Sequence, residues 1–295
     1  MSDLRSPQLE QLDIAVIVSN RTRHGSPLWS EHGLSLLIDC HYRDEGRKRI
    51  LFDTGSTGEV LGHNLKVLGV NPEELDLVFL SHCHGDHTGG LQSLIDCPES
   101  RFTVVGHAEI TRQVITARAG LRHMGADPRL WESIPPRRLI LLREPTQIFP
   151  AVWVSGSIPR TTSFEKPRKG QFTLDDGRLT ADGDPDDMAM VFDVDSPGPV
   201  VVTGCSHAGP VNTLLHARTV CDGDARQTLI GGLHLVDADE EKLEATVKAL
   251  QELNPAEIRP GHCTGTPAES ALQRQFGRRH HPFNTGDRFT YRRNR

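Results

Sequence analysis

Three histidines and one aspartate fall within six residues of the segment 80–91, LSHCHGDHTGGL. Imidazole and carboxylate groups are the ligands that bind zinc and other transition metals in proteins. Clustering four such groups is costly unless a cation organises them. The segment therefore predicts a metal centre rather than a polar loop with exposed histidines. Its proposed ligands are His82, His84, Asp86 and His87.

The backbone of this segment divides the four groups into two pairs. A predicted strand ends just before His82, and side chains alternate along an extended chain, so His82 and His84 point to the same side. The turn at Gly85 redirects the chain and brings Asp86 and His87 to a second point nearby. Two adjacent groups of ligands are expected.

Three later histidines repeat the local pattern of a strand, a glycine and a histidine. They are His207 in VVVTGCSHAG, His234 in IGGLHL and His262 in PGHCTG. Because strand ends along one edge of a sheet converge on a common cleft, groups far apart in sequence meet there. These histidines are candidates for completing the centre.

The elements that must position these residues are short apolar strands and amphipathic helices. Strands outnumber helices in the first half and alternate with them in the second, which predicts a four-layer αββα sandwich. A doubly wound parallel sheet is the alternative, but no GxGxxG or P-loop follows any strand. Asp237, with Glu240 three residues on, is predicted to cap the longest helix. The predicted strands are 13–19, 34–39, 49–52, 75–80, 102–105, 138–142, 152–155, 188–194, 200–203, 228–230 and 288–291; the predicted helices are 59–68, 108–118, 211–220, 238–253 and 268–276.

Composition and charge exclude several classes of function. The chain has 295 residues and a formal net charge of −6, which argues against a general nucleic-acid binder. No apolar run approaches the roughly 18–20 residues of a membrane-spanning helix, and the N-terminus lacks the pattern of a signal peptide. Six cysteines without a CxxC pair indicate neither a disulfide scaffold nor a zinc ribbon. We expect a cytoplasmic protein with a small-molecule partner; the oligomeric state is not predicted.

No repeat or linker divides the chain, so a single domain over 1–295 is expected. Two segments are predicted to be surface excursions. The segment 120–137 is rich in arginine and proline, and 172–187 carries six aspartates. Because the spacing in 172–187 does not match a calcium loop, a solvated turn is expected there. Residues 292–295 are expected to fray.

The motif HCHGDH resembles the HxHxDH signature of the metallo-β-lactamase superfamily, and Asp53 in LFDTG resembles the aspartate at an early strand end of that family. Further segments resemble one subgroup, named for 7,8-dihydropterin-6-methyl-4-(β-D-ribofuranosyl)-aminobenzene-5′-phosphate synthase. The resemblance extends over about residues 13–290. The segments that carry it are EHGLSLLID, FDTG, LSHCHGDHTGGL, SGSIPR…FE, GCSHAG, GGLHL and GHCTG.

The resemblance implies an αββα fold with one or two metal ions, expected to be zinc, with iron and manganese as alternatives. It implies that His82 and His84 hold the first ion, and that Asp86, His87 and His262 hold the second. The chain departs from the general pattern twice. Gly156-Ser157-Ile158 stands where hydrolases usually carry a ligand histidine, and Cys205-Ser206-His207 stands where they carry a bridging aspartate. His207 is the expected replacement ligand, and Cys205 is either a further ligand or a buried strand-end residue.

The resemblance and local charge also suggest residues that act on substrate. His234 is expected to be a general acid or to contact substrate, with a ligand or orienting role as the alternative. Arg160 and Glu165 are candidates for contacting a polar or anionic substrate, although a surface ion pair would explain them as well. Lys166 begins a basic patch, 166–169, that could meet a phosphate, and His32 could line the cleft.

Together these features predict a metal-dependent hydrolase or synthase-like enzyme. A metal-bound hydroxide, oriented by Asp86, would attack a small, phosphorylated or pterin-like substrate while His234 protonates the leaving group. An iron-dependent oxidoreductase on the same fold and a non-catalytic metal-holding scaffold are the alternatives.

Overall fold

The computed structural model describes residues 8–43, 46–118, 120–194, 198–221 and 225–293. The strands are β1 (Leu9–Val18), β2 (Ser35–Tyr42), β3 (Gly46–Phe52), β4 (Leu77–Phe79), β5 (Thr103–His107), β6 (Val114–Thr116), β7 (Arg122–His123), β8 (Leu139–Leu142), β9 (Thr146–Phe149), β10 (Val152–Val154), β11 (Gln171–Asp175), β12 (Arg178–Ala181), β13 (Ala189–Phe192), β14 (Val200–Thr203), β15 (Thr228–Gly232), β16 (Glu257–Gly261) and β17 (Arg288–Arg292). The helices are α1 (Gly58–Val67), α2 (Gly85–Thr88), α3 (Leu91–Ile95), α4 (Pro128–Ser133), α5 (Pro210–Val220), α6 (Glu240–Leu253) and α7 (Thr266–Phe276).

Two large mixed sheets carry the fold. The first has the order β17-β1-β2-β3-β4-β5-β8, and the second has the order β16-β15-β14-β13-β10-β9. Strands β3, β4, β5 and β8 are parallel, as are β14, β15 and β16. A small sheet, β12-β11-β6-β7, adjoins them. The carboxyl ends of β3, β4, β14, β15 and β16 lead directly into the motifs that carry histidine, cysteine and aspartate.

Alternation along the strands sends side chains into three separate apolar layers. Phe79 and Val202 pack between the two sheets. Val78, one residue before Phe79, packs under α1 and α3, whereas Val201 packs under α5, α6 and α7. Both faces of each sheet are therefore covered, which explains why the central strands are continuously apolar. The predicted αββα sandwich is confirmed.

Two local predictions were wrong. The segment 108–118 forms a turn and then β6 rather than a helix, because its β-branched run, Val114–Thr116, pairs with β11. The longest helix, α6, is capped by Asp239, whose side chain accepts a hydrogen bond from the Lys242 amide at 2.8 Å. Asp237 lies before the helix and instead pairs with Arg118 at 2.5 Å.

The acidic segment is only partly the solvated turn that was expected. The β11–β12 hairpin is largely exposed, but the aspartates that follow it are buried. Arg112 contacts Asp182 at 3.2 Å and Asp186 at 2.5 Å, and Asp186 also accepts a hydrogen bond from the Cys83 amide. Burial raises the pKa of Asp187 to about 7. Asp182 and Asp186 thus neutralise the half-buried Arg112, and Asp186 also fixes the loop that carries the ligands.

The segment 120–137 also differs from a plain excursion. The Met124 carbonyl accepts a hydrogen bond from the Gly85 amide at 2.7 Å, and the Ala126 amide donates to the Cys83 carbonyl at 3.0 Å. The segment therefore packs against the HCHGDH loop. At the C-terminus Arg292 belongs to β17, while residues 294–295 lie outside the described residues. No helix within the described residues is long and apolar enough to cross a membrane.

Candidate metal centre

The ring nitrogens of His82, His84 and His207 converge on one point. His82 Nε2 lies 3.0 Å from His84 Nδ1, and His207 Nε2 lies 3.1 Å from His82 Nε2 and 3.2 Å from His84 Nδ1. The two histidines of the HCHGDH loop follow β4, and His207 follows β14. The structure thus brings the predicted replacement, His207, to the pair that the sequence placed together.

The geometry of this group fits a bound cation. Tetrahedral ligands at a zinc–nitrogen distance of about 2.0–2.1 Å stand about 3.3 Å apart, close to the separations observed. Burial holds the pKa of each of the three imidazoles well below its usual value, which favours the neutral ligand form. A neutral imidazole carries one N–H, so three mutually facing nitrogens cannot satisfy one another fully by hydrogen bonds.

A second group lies beside the first and contains Asp86, His87, His262 and Cys205. His87 Nε2 is 3.2 Å from His262 Nε2 and 3.2 Å from Cys205 Sγ, and Asp86 Oδ2 is 3.3 Å from His262 Nε2. The sulfur of Cys205 faces the same point as the two imidazoles, a position that favours the ligand role over that of a buried strand-end residue. The mixed oxygen, nitrogen and sulfur donor set suits zinc.

In this second group, neighbouring charges and hydrogen bonds favour the ionised forms of Asp86 and His87. Burial opposes ionisation of Asp86, but His87 and hydrogen bonds from His262 and His32 hold its pKa well below the usual range. Burial would lower the pKa of His87, yet the charges of Asp86 and Asp53 raise it to about 9. Without a cation, a proton therefore occupies His87 at neutral pH, in a position where a metal would replace it.

Asp53 fixes the orientation of His87. Its Oδ2 accepts from His87 Nδ1 at 2.6 Å, and its two oxygens accept from the Ser81 amide and hydroxyl, both at 2.7 Å. The backbone of Asp53 is left-handed, with φ 54°, which is uncommon for a residue other than glycine. Ser206, His234 and His262 share this conformation. Strained residues of this kind cluster at functional sites.

Asp53→Asn is expected to weaken cation binding at the second group by about 10–100-fold. This is the usual effect of replacing a residue that hydrogen-bonds to a metal ligand. Asparagine has one acceptor oxygen where Asp53 has two, so either His87 Nδ1–H or the Ser81 amide would face an NH2 group and lose its acceptor. Chelator competition with zinc measures the change. Asp39→Asn, which disturbs an ion pair with Arg49 elsewhere in the first sheet, is the control. Unchanged zinc affinity in Asp53→Asn would contradict this role.

A cavity of 440 Å³ opens over both groups. Among its lining residues, Asn20 accepts a hydrogen bond from His262 Nδ1 through its Oδ1 at 2.8 Å. This bond turns Nε2 of His262 towards the second group. His32 also lines the cavity, as the sequence suggested, and its Nε2 lies 3.2 Å from Asp86 Oδ2. Asn20 carries no motif by which the sequence could identify it.

The cationic residue that lines the cavity is Arg168. Its Nε and Nη2 are buried and have no hydrogen-bond partner among the described residues. Lys166, the residue expected to contact substrate, is exposed and does not line this cavity. The sequence predicted a basic patch at 166–169. It could not show which of these residues faces the cavity, because the direction of each side chain depends on the path of the loop.

Arg160 and Glu165 bind the backbone around His207 and α5, and neither is among the residues that line this cavity. Arg160 donates to the carbonyls of His207 at 2.6 Å and Gly183 at 2.8 Å. Glu165 is buried and accepts from the Val211 and Asn212 amides at 2.9 and 2.8 Å. It therefore caps α5, the helix that follows His207.

Gly209 directly precedes this helix with φ 104°, and a Cβ added there would lie 2.1 Å from Glu165 Cδ, so Glu165 packs closely against the helix N-terminus. Glu165→Ala is expected to lower the free energy of unfolding by about 2–4 kcal/mol, because buried amides lose a charged acceptor. Urea denaturation of the metal-free protein measures this. Lys166→Ala, an exposed neighbour, should change it by less than about 0.5 kcal/mol. Equal stability of the two variants would refute the capping role.

His234, the expected proton donor, lies at the cavity and next to the first group. Its ring centroid is 4.5 Å from that of His207, and both of its nitrogens are buried without a partner among the described residues. A nitrogen of His234 also lies near the sulfurs of Cys205 and Cys263. Cys263 was assigned no role from the sequence; its position beside His262 was the only signal.

Comparisons with known proteins place this geometry in context. The sequence profile of the Metallo-beta-lactamase superfamily matches residues 32–262. The chain is 33% identical over 275 residues to the 7,8-dihydropterin-6-methyl-4-(beta-D-ribofuranosyl)-aminobenzene-5′-phosphate synthase of Methanocaldococcus jannaschii, covering 91% of this chain and 93% of that protein.

Solved structures with the same fold include Tm1679, a metal-dependent hydrolase of the beta-lactamase superfamily. It is 28% identical, with a TM-score of 0.77, and the match covers 94% of this chain and 98% of that one. A diphosphatase from the PhnP family matches with a TM-score of 0.53 at 12% identity, covering 96% of this chain and 98% of that one. The second likeness concerns the fold alone.

Proposed function

The chain belongs to the metallo-beta-lactamase superfamily, and we propose that it uses two metal ions to hydrolyse a small, phosphate-bearing molecule. The superfamily and subgroup resemblance found in the motifs is confirmed, and the chain is a metal-dependent enzyme acting on a small substrate. The observation that carries the finer proposal is the pair of adjacent ligand groups beneath a cavity lined by Arg168.

His82, His84 and His207 would hold one cation, and Asp86, His87 and His262, with Cys205 beside them, would hold the other. We propose zinc, because neutral imidazoles, a carboxylate and a thiol are ligands that zinc accepts. When bound, such cations polarise a substrate oxygen and lower the pKa of a water molecule towards neutrality.

The chain's own residues supply orientation and proton transfer. Asp86 is ionised, reaches both His262 and His32, and is placed to accept a hydrogen bond from a nucleophilic water. His234, with both nitrogens free of partners among the described residues, would donate a proton to the leaving group. Arg168 would bind the phosphate through Nε and Nη2, since a guanidinium matches two phosphate oxygens.

A synthase reaction is the second candidate, and the 33% identity to a synthase favours it. The name of that relative includes a dihydropterin and a ribofuranosyl 5′-phosphate, so a phosphorylated, pterin-like substrate is proposed for this chain as well. The same groups would serve, with an organic nucleophile in place of water.

A panel assay on protein loaded with zinc tests the proposal. It compares phosphomonoesters, phosphodiesters, lactones, thioesters and a phosphorylated pterin precursor. We expect turnover confined to phosphate-bearing compounds, with hydrolysis and condensation distinguished by incorporation of oxygen from labelled water. Turnover of lactones or thioesters alone would contradict the proposal. An iron-containing protein that loses activity without oxygen would support the oxidoreductase alternative instead.

A further inference from the structure

Two thiols and one imidazole meet at the cavity beside the two ligand groups. The sulfurs of Cys205 and Cys263 and a ring nitrogen of His234 lie within 4.8 Å of one another. The residues follow the ends of β14, β16 and β15, which are adjacent parallel strands of the second sheet. The packing that brings these three loops together is therefore part of the fold.

We propose that Cys205, Cys263 and His234 form a third cation position, selective for a thiophilic d¹⁰ ion such as zinc or cadmium. Two cysteines and one histidine, with a further coordination position open, make up a known type of zinc site. All three residues line the 440 Å³ cavity, so the open position faces the substrate space. As each metal–sulfur bond forms, the thiol releases its proton to solvent.

The imidazole of His234 is placed to bind a ligand at this point. Its Nδ1 and Nε2 are both buried, and neither has a hydrogen-bond partner among the described residues. Leaving a buried polar group unpaired is destabilising. The left-handed backbone of His234, with φ 46°, adds strain that the surrounding structure maintains. Both costs are explained if the imidazole binds an ion.

Cys263 belongs to neither of the other two groups, and its sulfur faces Cys205 and His234. The same sulfur lies 3.7 Å from the Cys205 carbonyl. A Cβ at Gly232 would lie 2.6 Å from this sulfur and 3.3 Å from the Cys205 Cα, so the close approach of these loops depends on a glycine. The two thiols are thus held side by side.

The donor set separates this position chemically from its neighbours. Sulfur ligands select soft ions, whereas the first group offers only imidazole nitrogen. Cys205 lies in both the second group and the third position, so an ion at each would share its thiolate. Because His234 is the proposed proton donor, filling the third position should inhibit turnover.

Titration of the reduced, metal-free, full-length protein with cadmium tests the proposal. Bound cadmium is counted by equilibrium dialysis, and thiolate-to-cadmium charge-transfer absorption reports sulfur ligation. Cys263→Ser should bind one ion fewer than the wild type and lose a large part of that absorption. Cys97→Ser, a half-buried thiol outside all three groups, should match the wild type. His234→Ala keeps both thiols. It should weaken binding of the last cadmium ion by more than about tenfold, because loss of a residue that only orients a metal ligand already lowers affinity by about that factor.

Equal ion counts and equal absorption in Cys263→Ser and the wild type would overturn the third position. If Cys263→Ser does not fold, His234→Ala decides: unchanged affinity for the last ion would overturn the proposal as well. His84→Ala separates this inference from the proposed catalytic centre. It should remove an ion without altering the thiolate absorption, so failure at either place is seen independently.

Discussion

His84→Ala is expected to remove one cation per chain and to lower kcat/KM by more than about 100-fold. The imidazole of His84 contributes one of three nitrogens that face a single point, at 3.0 and 3.2 Å from its partners. Loss of a residue that hydrogen-bonds to a metal ligand already lowers metal affinity or activity by about 10–100-fold. Loss of the ligand itself should cost more, because two imidazoles alone do not complete the group.

Metal content by mass spectrometry and turnover of a phosphate-bearing substrate measure this effect. His280→Ala is the matched control, since His280 is buried but bonds to Gln273 Oε1, outside the three groups. The control should keep its cations and its rate. A non-catalytic scaffold would be supported if His84→Ala lost turnover but retained ligand binding and the protein's cellular role.

Arg168→Gln is expected to lower kcat/KM for a phosphate-bearing substrate by about 10–100-fold. The guanidinium of Arg168 carries buried donors without a partner among the described residues, at the lining of the cavity. A hydrogen bond to a charged group contributes about 1.5–3 kcal/mol, and 1.4 kcal/mol corresponds to a factor of ten. An uncharged analogue of the substrate should show little change.

Lys166→Gln is the decisive comparison, because the sequence favoured Lys166 and the cavity favours Arg168. Lys166 is exposed and does not line the cavity, so Lys166→Gln should leave kcat/KM nearly unchanged in the same assay. A loss confined to Lys166→Gln would contradict the assignment of the anion to Arg168. Equal kcat/KM for charged and uncharged substrates in the wild type would contradict the proposal of an anionic substrate.

The sequence predicted the fold and the convergence of the histidines because both depend on local patterns. Apolar strands followed by histidine determine which residues reach the edge of the sheet, and β4, β14, β15 and β16 each lead into one of these histidines. β16 was not among the predicted strands. The mistaken helix over 108–118 had helical spacing of apolar residues, but the β-branched run at Val114–Thr116 found a partner in β11. That partner is distant in sequence and leaves no local signal.

Residues that depend on loop packing were harder to predict. Arg160 and Glu165 carry charges that suggested substrate, yet they bind the carbonyl of His207 and the amides of α5. Asn20 orients His262 from the far end of the chain. Charge and residue type identify groups capable of recognition, but only the path of the loop decides whether they face the cavity or the backbone.

Anomalous scattering from crystals equilibrated with zinc tests the central claim most directly. We expect one peak within about 2.0–2.3 Å of nitrogens from His82, His84 and His207, and a second peak at the same range from ligand atoms of Asp86, His87 and His262. Zinc-saturated crystals with no peak at either group, or with zinc bound only elsewhere on the chain, would contradict it.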